Sequence, residues 1–219
     1  MCGRFVRSSP ASLIAERFST GLPPDLPEPS CNIAPTQEIL IINQQGAKQL
    51  VTCRWGFLPS WAKAPSPEQS MINARAETIA TKPAFREAFR QQRCLVIADG
   101  FYEWQKVKGR KIPVYIHLRS GGPFGLAGIY SRLKSPEGKD ICTCAIITTG
   151  ANELLAPIHD RMPVILPRDK EDLWLDPRQG PDVLLKMLKP YPSEELDYYE
   201  VSPKVNAPAY DFPDAINPI

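Results

Sequence analysis

Between residues 94 and 149 the chain offers five runs rich in β-branched, aromatic and other apolar residues, 94–99, 101–107, 112–118, 124–130 and 141–149, separated by turns rich in glycine or lysine. Short strands joined so tightly have few ways to bury their apolar sides except a curled, mainly antiparallel sheet or a barrel. Residues 38–43 and 49–57 are also β-rich and flank Gln44-Gln45-Gly46, which predicts a hairpin. Further strands are expected at 3–7, 163–166 and 198–202. Helices are expected only in short pieces. Ser9-Pro10 supplies an N-cap and a first-turn proline for one reaching about Phe18, with Leu13, Ile14 and Phe18 on one face. A second begins near Thr81-Lys82-Pro83 and turns Phe85, Ala88 and Phe89 inward and Arg86, Arg90 and Arg93 outward. Three more fall at 150–158, 170–175 and 182–188. The four prolines of 21–29 exclude helix there, residues 58–70 form a loop carrying Trp61 and three prolines, and the tail from Pro203 is irregular. The expectation is one α+β domain over 1–219, β-rich, with a barrel-like core and short flanking helices.

A chain of 219 residues with 43% hydrophobic residues is long enough for a full core. Its net charge is only +2, yet the halves differ: residues 1–110 hold 14 Lys/Arg against 9 Asp/Glu, and 111–219 hold 12 against 15. That asymmetry permits an anionic ligand without requiring one. Six cysteines, at 2, 31, 53, 94, 142 and 144, and only two histidines leave no Cys-x-x-Cys pair or His cluster, so no structural metal and no cofactor is expected. No leader pattern opens the chain and no apolar run approaches a membrane span. A soluble cytoplasmic monomer with reduced thiols is expected, the five later cysteines serving mostly as small core residues.

Chemistry is concentrated at Met1-Cys2-Gly3-Arg4. If Met1 is trimmed, Cys2 presents an amine and a thiol on one skeleton, each partly nucleophilic near neutral pH. The amine can condense with an aldehyde and the thiol can then close a five-membered thiazolidine. Alternatively the thiol attacks an amide with the amine as its base. A cysteine at position two is also open to an ordinary structural reading. Gly3 lets backbone approach a ligand, and Arg4 forks onto phosphate or carboxylate.

Three other stretches carry candidate groups. In Asp99-Gly100-Phe101-Tyr102-Glu103-Trp104, alternation sends Phe101 and Glu103 to one face and Tyr102 and Trp104 to the other. A Glu on an apolar strand face loses hydration and suits proton transfer near neutral pH; otherwise Glu103 pairs with an arginine or faces water. His159, within Ile158-His159-Asp160-Arg161-Met162-Pro163, is flanked by an acid and a guanidinium, and both proton transfer and a structural role fit it. His117 reads as a strand residue with a satisfied ring. Asn73 and Arg75 share one side of an extended segment and could offer one ligand an amide and a phosphate clamp, or be a turn residue and a solvated cation. Trp61 caps the core or gives an unpaired base a stacking platform.

Together, Cys2-Gly3-Arg4-Phe5, Asn32-Ile33-Ala34-Pro35, Trp55-Gly56, Asn73-Ala74-Arg75-Ala76-Glu77, Asp99 to Trp104 and Ile158 to Pro163 resemble, in order, the SOS-response-associated peptidase (SRAP) family. The resemblance implies a single β-rich α+β domain that recognises abasic sites in single-stranded DNA and at junctions and links to them through its N-terminal cysteine. It implies Cys2 as nucleophile, Asn73 as its orienting group, Glu103 as proton shuttle and His159 as the residue assisting ring opening and reversal. Arg4, Arg75 and Arg161 become phosphate contacts, and Trp61 and Thr148 neighbours of the DNA path. A thiol peptidase using Cys2, with His159 or the amine as base, is the competing reading. A non-covalent reader of unpaired DNA is the third.

Overall fold

The computed structural model describes residues 2–62, 70–134 and 138–219. Met1 and residues 63–69 of the expected 58–70 loop lie outside that set. In chain order the elements are β1 (Phe5–Arg7), α1 (Ala11–Phe18), β2 (Ser30–Ile33), β3 (Glu38–Gln45), β4 (Ala47–Trp55), β5 (Asn73–Arg75), α2 (Arg86–Gln91), β6 (Arg93–Ala98), β7 (Gly100–Val107) and β8 (Arg110–Leu118). They continue with β9 (Phe124–Lys134), β10 (Asp140–Gly150), β11 (Arg161–Pro163), α3 (Arg168–Leu175), α4 (Pro181–Met187) and β12 (Leu196–Glu200).

Two sheets hold the strands. The first runs β12-β8-β7-β1-β2 and is antiparallel throughout. The second runs β11-β10-β4-β3-β6-β9, and β9 pairs back onto β10 from Asp140↔Lys134 to Ile146↔Gly128. That return closes β10, β4, β3, β6 and β9 into a ring whose one parallel joint is β10 to β4, over Thr143↔Arg54 and Cys144↔Trp55. Closure removes the free edges that an open sheet would leave. The short β5 extends the same side of β10, also parallel, through Ile146↔Asn73 and Thr148↔Arg75. The expected α+β class and barrel-like core are therefore the observed ones.

Strand alternation sorts the apolar side chains into two buried sets. Leu40, Ile42, Leu50, Leu95, Ile97, Ala145 and Ile147 pack with Ile14 and Phe18 of α1, Phe89 of α2, Trp174 of α3 and Leu184 of α4. Ile39, Ile41, Cys53, Trp55, Cys94, Val96, Cys144 and Ile146 pack instead with Phe5, Phe101, Val114 and Ile116 of the first sheet, and Cys2 belongs to this set. Gly46 takes a φ of +90° at the β3–β4 turn, a conformation that costs a residue without Cβ nothing. Gly100 meets a different need: a Cβ there would lie 2.4 Å from the Tyr115 ring, so only glycine lets β7 pass under it.

Several local expectations fail for identifiable reasons. Leu13 is 43% exposed, because in a helix of two turns the stripe that faces the core is Ile14 and Phe18. Ser9 does not cap α1; its hydroxyl and backbone N–H both donate to the Asp99 carboxylate, and Pro10 occupies the cap position. Arg93 is buried rather than outward, since it opens β6 and donates to the carbonyls of Phe89, Trp174 and Asp176. Residues 150–158 make turns instead of a helix: Asn152 Oδ1 accepts from the Leu155 N–H, and Pro157 has no N–H with which to continue. The tail from Pro203, expected to be irregular, makes 3-10 turns at Pro203–Asn206 and Pro213–Ile216 and is packed. Val205 and Ala215 are fully buried against Val6, Tyr102 and Tyr115.

Candidate active site

Antiparallel pairing of β1 with β7, at Phe5↔Phe101 and Val6↔Gly100, makes residues before Phe5 run beside residues after Phe101. The Tyr102 N–H donates to the Arg4 carbonyl in that register. Cys2 is thereby carried toward Glu103 on the apolar side of β7, the side shared with Phe101, while Tyr102 and Trp104 face the tail. The predicted alternation holds. On the barrel side, the Ile72 carbonyl accepts from both Trp55 Nε1 (3.0 Å) and the Ile146 N–H (3.0 Å), which fixes the start of β5. From there Asn73 Nδ2 donates to the Cys2 carbonyl at 2.9 Å. Asn73 Oδ1 is buried with no hydrogen-bond partner among the described residues.

Glu103 is 4% exposed. Burial pushes its carboxyl up from the ordinary carboxylate value, His159 pulls it down, and Asp160 pushes it up again. Cys2 is completely buried, and its thiol is pushed well above the usual range, first by burial and then by the negative charge of Glu103. These electrostatic couplings tie Cys2 to Glu103 and Glu103 to His159. The imidazole Nδ1 of His159 accepts from the Arg161 N–H at 3.0 Å and lies 2.8 Å from Asp160 Oδ1. A neutral ring that accepts at Nδ1 carries its proton on Nε2, whereas a protonated ring donates from Nδ1 to Asp160.

Cationic groups lie beside this cluster. Arg75 ends β5, exposed, next to Thr148 in register. Thr148 is fully buried and its carbonyl accepts from Arg161 Nη2 at 2.7 Å. Arg161 also forks onto Glu77 at 2.5 and 3.0 Å, which holds the Glu77 carboxyl below its ordinary value. Trp61 is 70% exposed beside a cavity of about 270 Å³ lined by Phe57, Pro83, Arg86, Gln92 and Ser131. Arg4 is placed differently from the other cations. Its guanidinium is buried, donates to Asn32 Oδ1 (2.6 Å) and the Val205 carbonyl (2.9 Å), and so ties the first strand to the tail. His117 Nδ1 donates to the Leu118 carbonyl at 2.9 Å and the ring stacks on Tyr115, the satisfied strand residue expected of it.

A family model described as SOS response associated peptidase (SRAP) matches residues 1–208. The chain belongs to the SRAP family. Among similar curated proteins, the abasic site processing protein YoqW of Bacillus subtilis is 45% identical over 221 residues, covering 99% of both chains. The abasic site processing protein YedK of Escherichia coli is 33% identical over 182 residues, covering 80% of this chain and 79% of its own. HMCES of Gallus gallus, also named an abasic site processing protein, is 32% identical over 195 residues, covering 78% of this chain and 57% of its own. A crystal structure of a protein from Bacteroides thetaiotaomicron superposes with a TM-score of 0.91 at 28% identity, each chain fully covered.

For this SRAP chain, then, four residues separated by as many as 157 positions meet where the first sheet abuts the barrel: Cys2, Asn73, Glu103 and His159. The arrangement combines a held backbone, a thiol, a carboxyl and an imidazole. No group of metal-ligating side chains occurs among the described residues. None of their helices is long and apolar enough to cross a membrane. Sequence reasoning missed Glu77 as the partner of Arg161; the only signal was an acid two positions beyond Arg75. It also missed the partners of Arg4, which come from β2 and the tail.

Proposed function

We propose that this chain processes abasic sites in DNA and captures the opened sugar covalently through Cys2 once Met1 has been removed. The observation that carries the reading is the Asn73 bond to the Cys2 carbonyl, which holds the nucleophilic residue beside Glu103 and His159. The names of the similar curated proteins agree with the substrate class.

The ring-closed sugar hides its aldehyde, so an acid must first open it. Glu103, whose carboxyl burial pushes above its ordinary value, and His159 are assigned to that task. The Cys2 amine attacks the aldehyde carbon, a C–N bond forms and water leaves as the imine is made. The thiol then adds across the C=N bond, its proton passing to nitrogen, and a thiazolidine results. The net loss is one water. Removal of the imine also removes the acidity that drives β-elimination, so the strand stays intact. Arg75 and Arg161 are assigned to phosphates, and Trp61 and Thr148 to the path of a single strand or junction, which makes binding salt-dependent despite a net charge of only +2; Arg4, expected as a third phosphate contact, is instead enclosed by Asn32 and the Val205 carbonyl. The protein would act as a monomer in the DNA damage response, in the cytoplasm and at the nucleoid.

Intact-mass measurement on the purified chain, alone and with an abasic single-stranded oligonucleotide, tests this. The expected product is the mass of protein without Met1 plus oligonucleotide less one water, absent for Cys2→Ala and for any fraction retaining Met1. An equal yield of stable adduct from Cys2→Ala sinks the proposal. Peptide turnover without DNA would instead support the thiol peptidase.

A further inference from the structure

We propose that Cys53 and Cys142 form a peroxide-responsive dithiol at the parallel joint of the barrel, distinct from the Cys2 site. Continuing the β4–β10 register one step back from Thr143↔Arg54 sets Cys142 beside Cys53. Neighbouring strands lie about 4.7–4.9 Å apart, inside the span of roughly 4.4–6.8 Å between Cα atoms that a disulfide accepts. Both residues line one solvent-open cavity of about 500 Å³, with Glu38, Arg54, Arg132 and Asp140. The Cys53 thiol interacts with the thiols of both Cys142 and Cys144. Cys144, however, is fully buried and its sulfur donates to the Arg54 carbonyl at 3.6 Å. Cys142 alone of the six cysteines is partly exposed.

Exposure sets the order of events. The Cys142 sulfur, as thiolate, attacks one oxygen of hydrogen peroxide; an S–O bond forms, the O–O bond breaks, and the departing hydroxide takes up a proton as water. The Cys53 sulfur then attacks the sulfenic sulfur; an S–S bond forms, the S–O bond breaks, and the displaced hydroxide takes up the Cys53 thiol proton and leaves as a second water. Two thiols are oxidised and one peroxide is reduced to two waters. The disulfide joins adjacent strands and stays reachable from solvent, which places it with the reducible kind rather than the structural kind. It would clamp the one joint of the ring that rests on two register pairs, on the strand that also carries Thr148.

The test treats the full-length wild-type chain with stoichiometric hydrogen peroxide, counts thiols under denaturing conditions and maps the linkage by mass spectrometry without reduction. The expected result is a loss of two hydrogens and two titratable thiols, a Cys53–Cys142 linked peptide, and reversal by a dithiol reductant. Cys142→Ser and Cys53→Ser should each form no such link, with the folded state checked by thermal melting. Because the wild-type mapping needs no variant, misfolding of either one leaves the test decisive. Retention of all six thiols, a link to Cys144 or Cys2, a link between two molecules, or over-oxidation of Cys142 without a link would overturn the proposal. None of these readouts depends on abasic DNA, so capture by Cys2 can fail while this inference stands.

Discussion

Asn73→Ala removes the 2.9 Å bond from Nδ2 to the carbonyl of Cys2, which is fully buried. A buried carbonyl left unpaired costs about 1–3 kcal/mol. In a chain of 219 residues each kcal/mol moves the melting temperature by about 2–4 °C, giving a fall of roughly 2–12 °C. The same bond sets the position of the nitrogen and sulfur that react. If that positioning is lost in the transition state, the rate of adduct formation falls by about tenfold for each 1.4 kcal/mol, hence up to about a hundredfold. Asn73→Asp is the sharper variant: a carboxylate cannot donate and repels the carbonyl it faces, so both losses should deepen at neutral pH and recover as the pH falls and the carboxyl is protonated. Single-turnover crosslinking to an abasic oligonucleotide, run well below the melting temperature of every variant, separates rate from stability. An Asn73→Ala protein that melts lower but crosslinks at the wild-type rate would show that the bond is scaffolding and refute its assignment to the reacting residue.

Glu103→Gln should slow adduct formation by about a hundred- to ten-thousandfold, the range for losing a general acid, read by the same assay across pH. Burial raises the folded pKa of Glu103 above its unfolded value, so the folded chain holds that proton more tightly. Wild-type stability therefore declines as pH rises from the ordinary carboxylate range through the raised value, and denaturant melts of Glu103→Gln should lack that decline. Glu77→Gln should release Arg161 from its fork and raise affinity for single-stranded DNA, whereas Arg161→Ala should lower it and reduce the salt slope by about one; fluorescence anisotropy over a salt series measures both. Trp61→Ala should weaken single-strand binding by about 1–3 kcal/mol and leave the melting temperature unchanged, since the ring is mostly exposed.

The strand runs were legible because a strand records its burial as alternation, and Phe101 against Tyr102 shows the record to be accurate on β7. The β3–β4 hairpin was legible because Gly46 supplies the positive φ its turn requires. What periodicity does not record is which strand closes on which. The parallel joint of β10 with β4 and the pairing of β3 with β6 join segments about 90 and about 55 residues apart, and nothing local announces them. Long-range polar partners were hidden for the same reason. Ser9 looks like a cap until Asp99 arrives from the β6–β7 turn, Arg93 looks solvated until the end of α3 presents its carbonyls, and Arg4 looks available for phosphate until Asn32 and Val205 enclose it. At the candidate site the sequence named the reactive types, while the contact of Asn73 with Cys2 depended on β5 being laid beside β10.

The burial of Cys2 also bears on the order of bond formation. Its thiol is driven upward by desolvation and by the charge of Glu103, so little thiolate exists near neutral pH to begin an attack. Under the proposed reading the amine must strike first, and the sulfur then meets an iminium, whose positive charge both attracts the sulfur and favours loss of its proton. Cys2→Ser isolates the first step. It keeps the amine and exchanges the sulfur for a far weaker nucleophile, so an imine should form with abasic DNA, survive only when reduced by borohydride, and otherwise hydrolyse or lead to strand cleavage by β-elimination. Gel analysis with and without the reductant distinguishes the outcomes. A Cys2→Ser protein that yields no reducible adduct would mean that sulfur attacks before nitrogen, and the acid–base roles given to Glu103 and His159 would have to be reassigned.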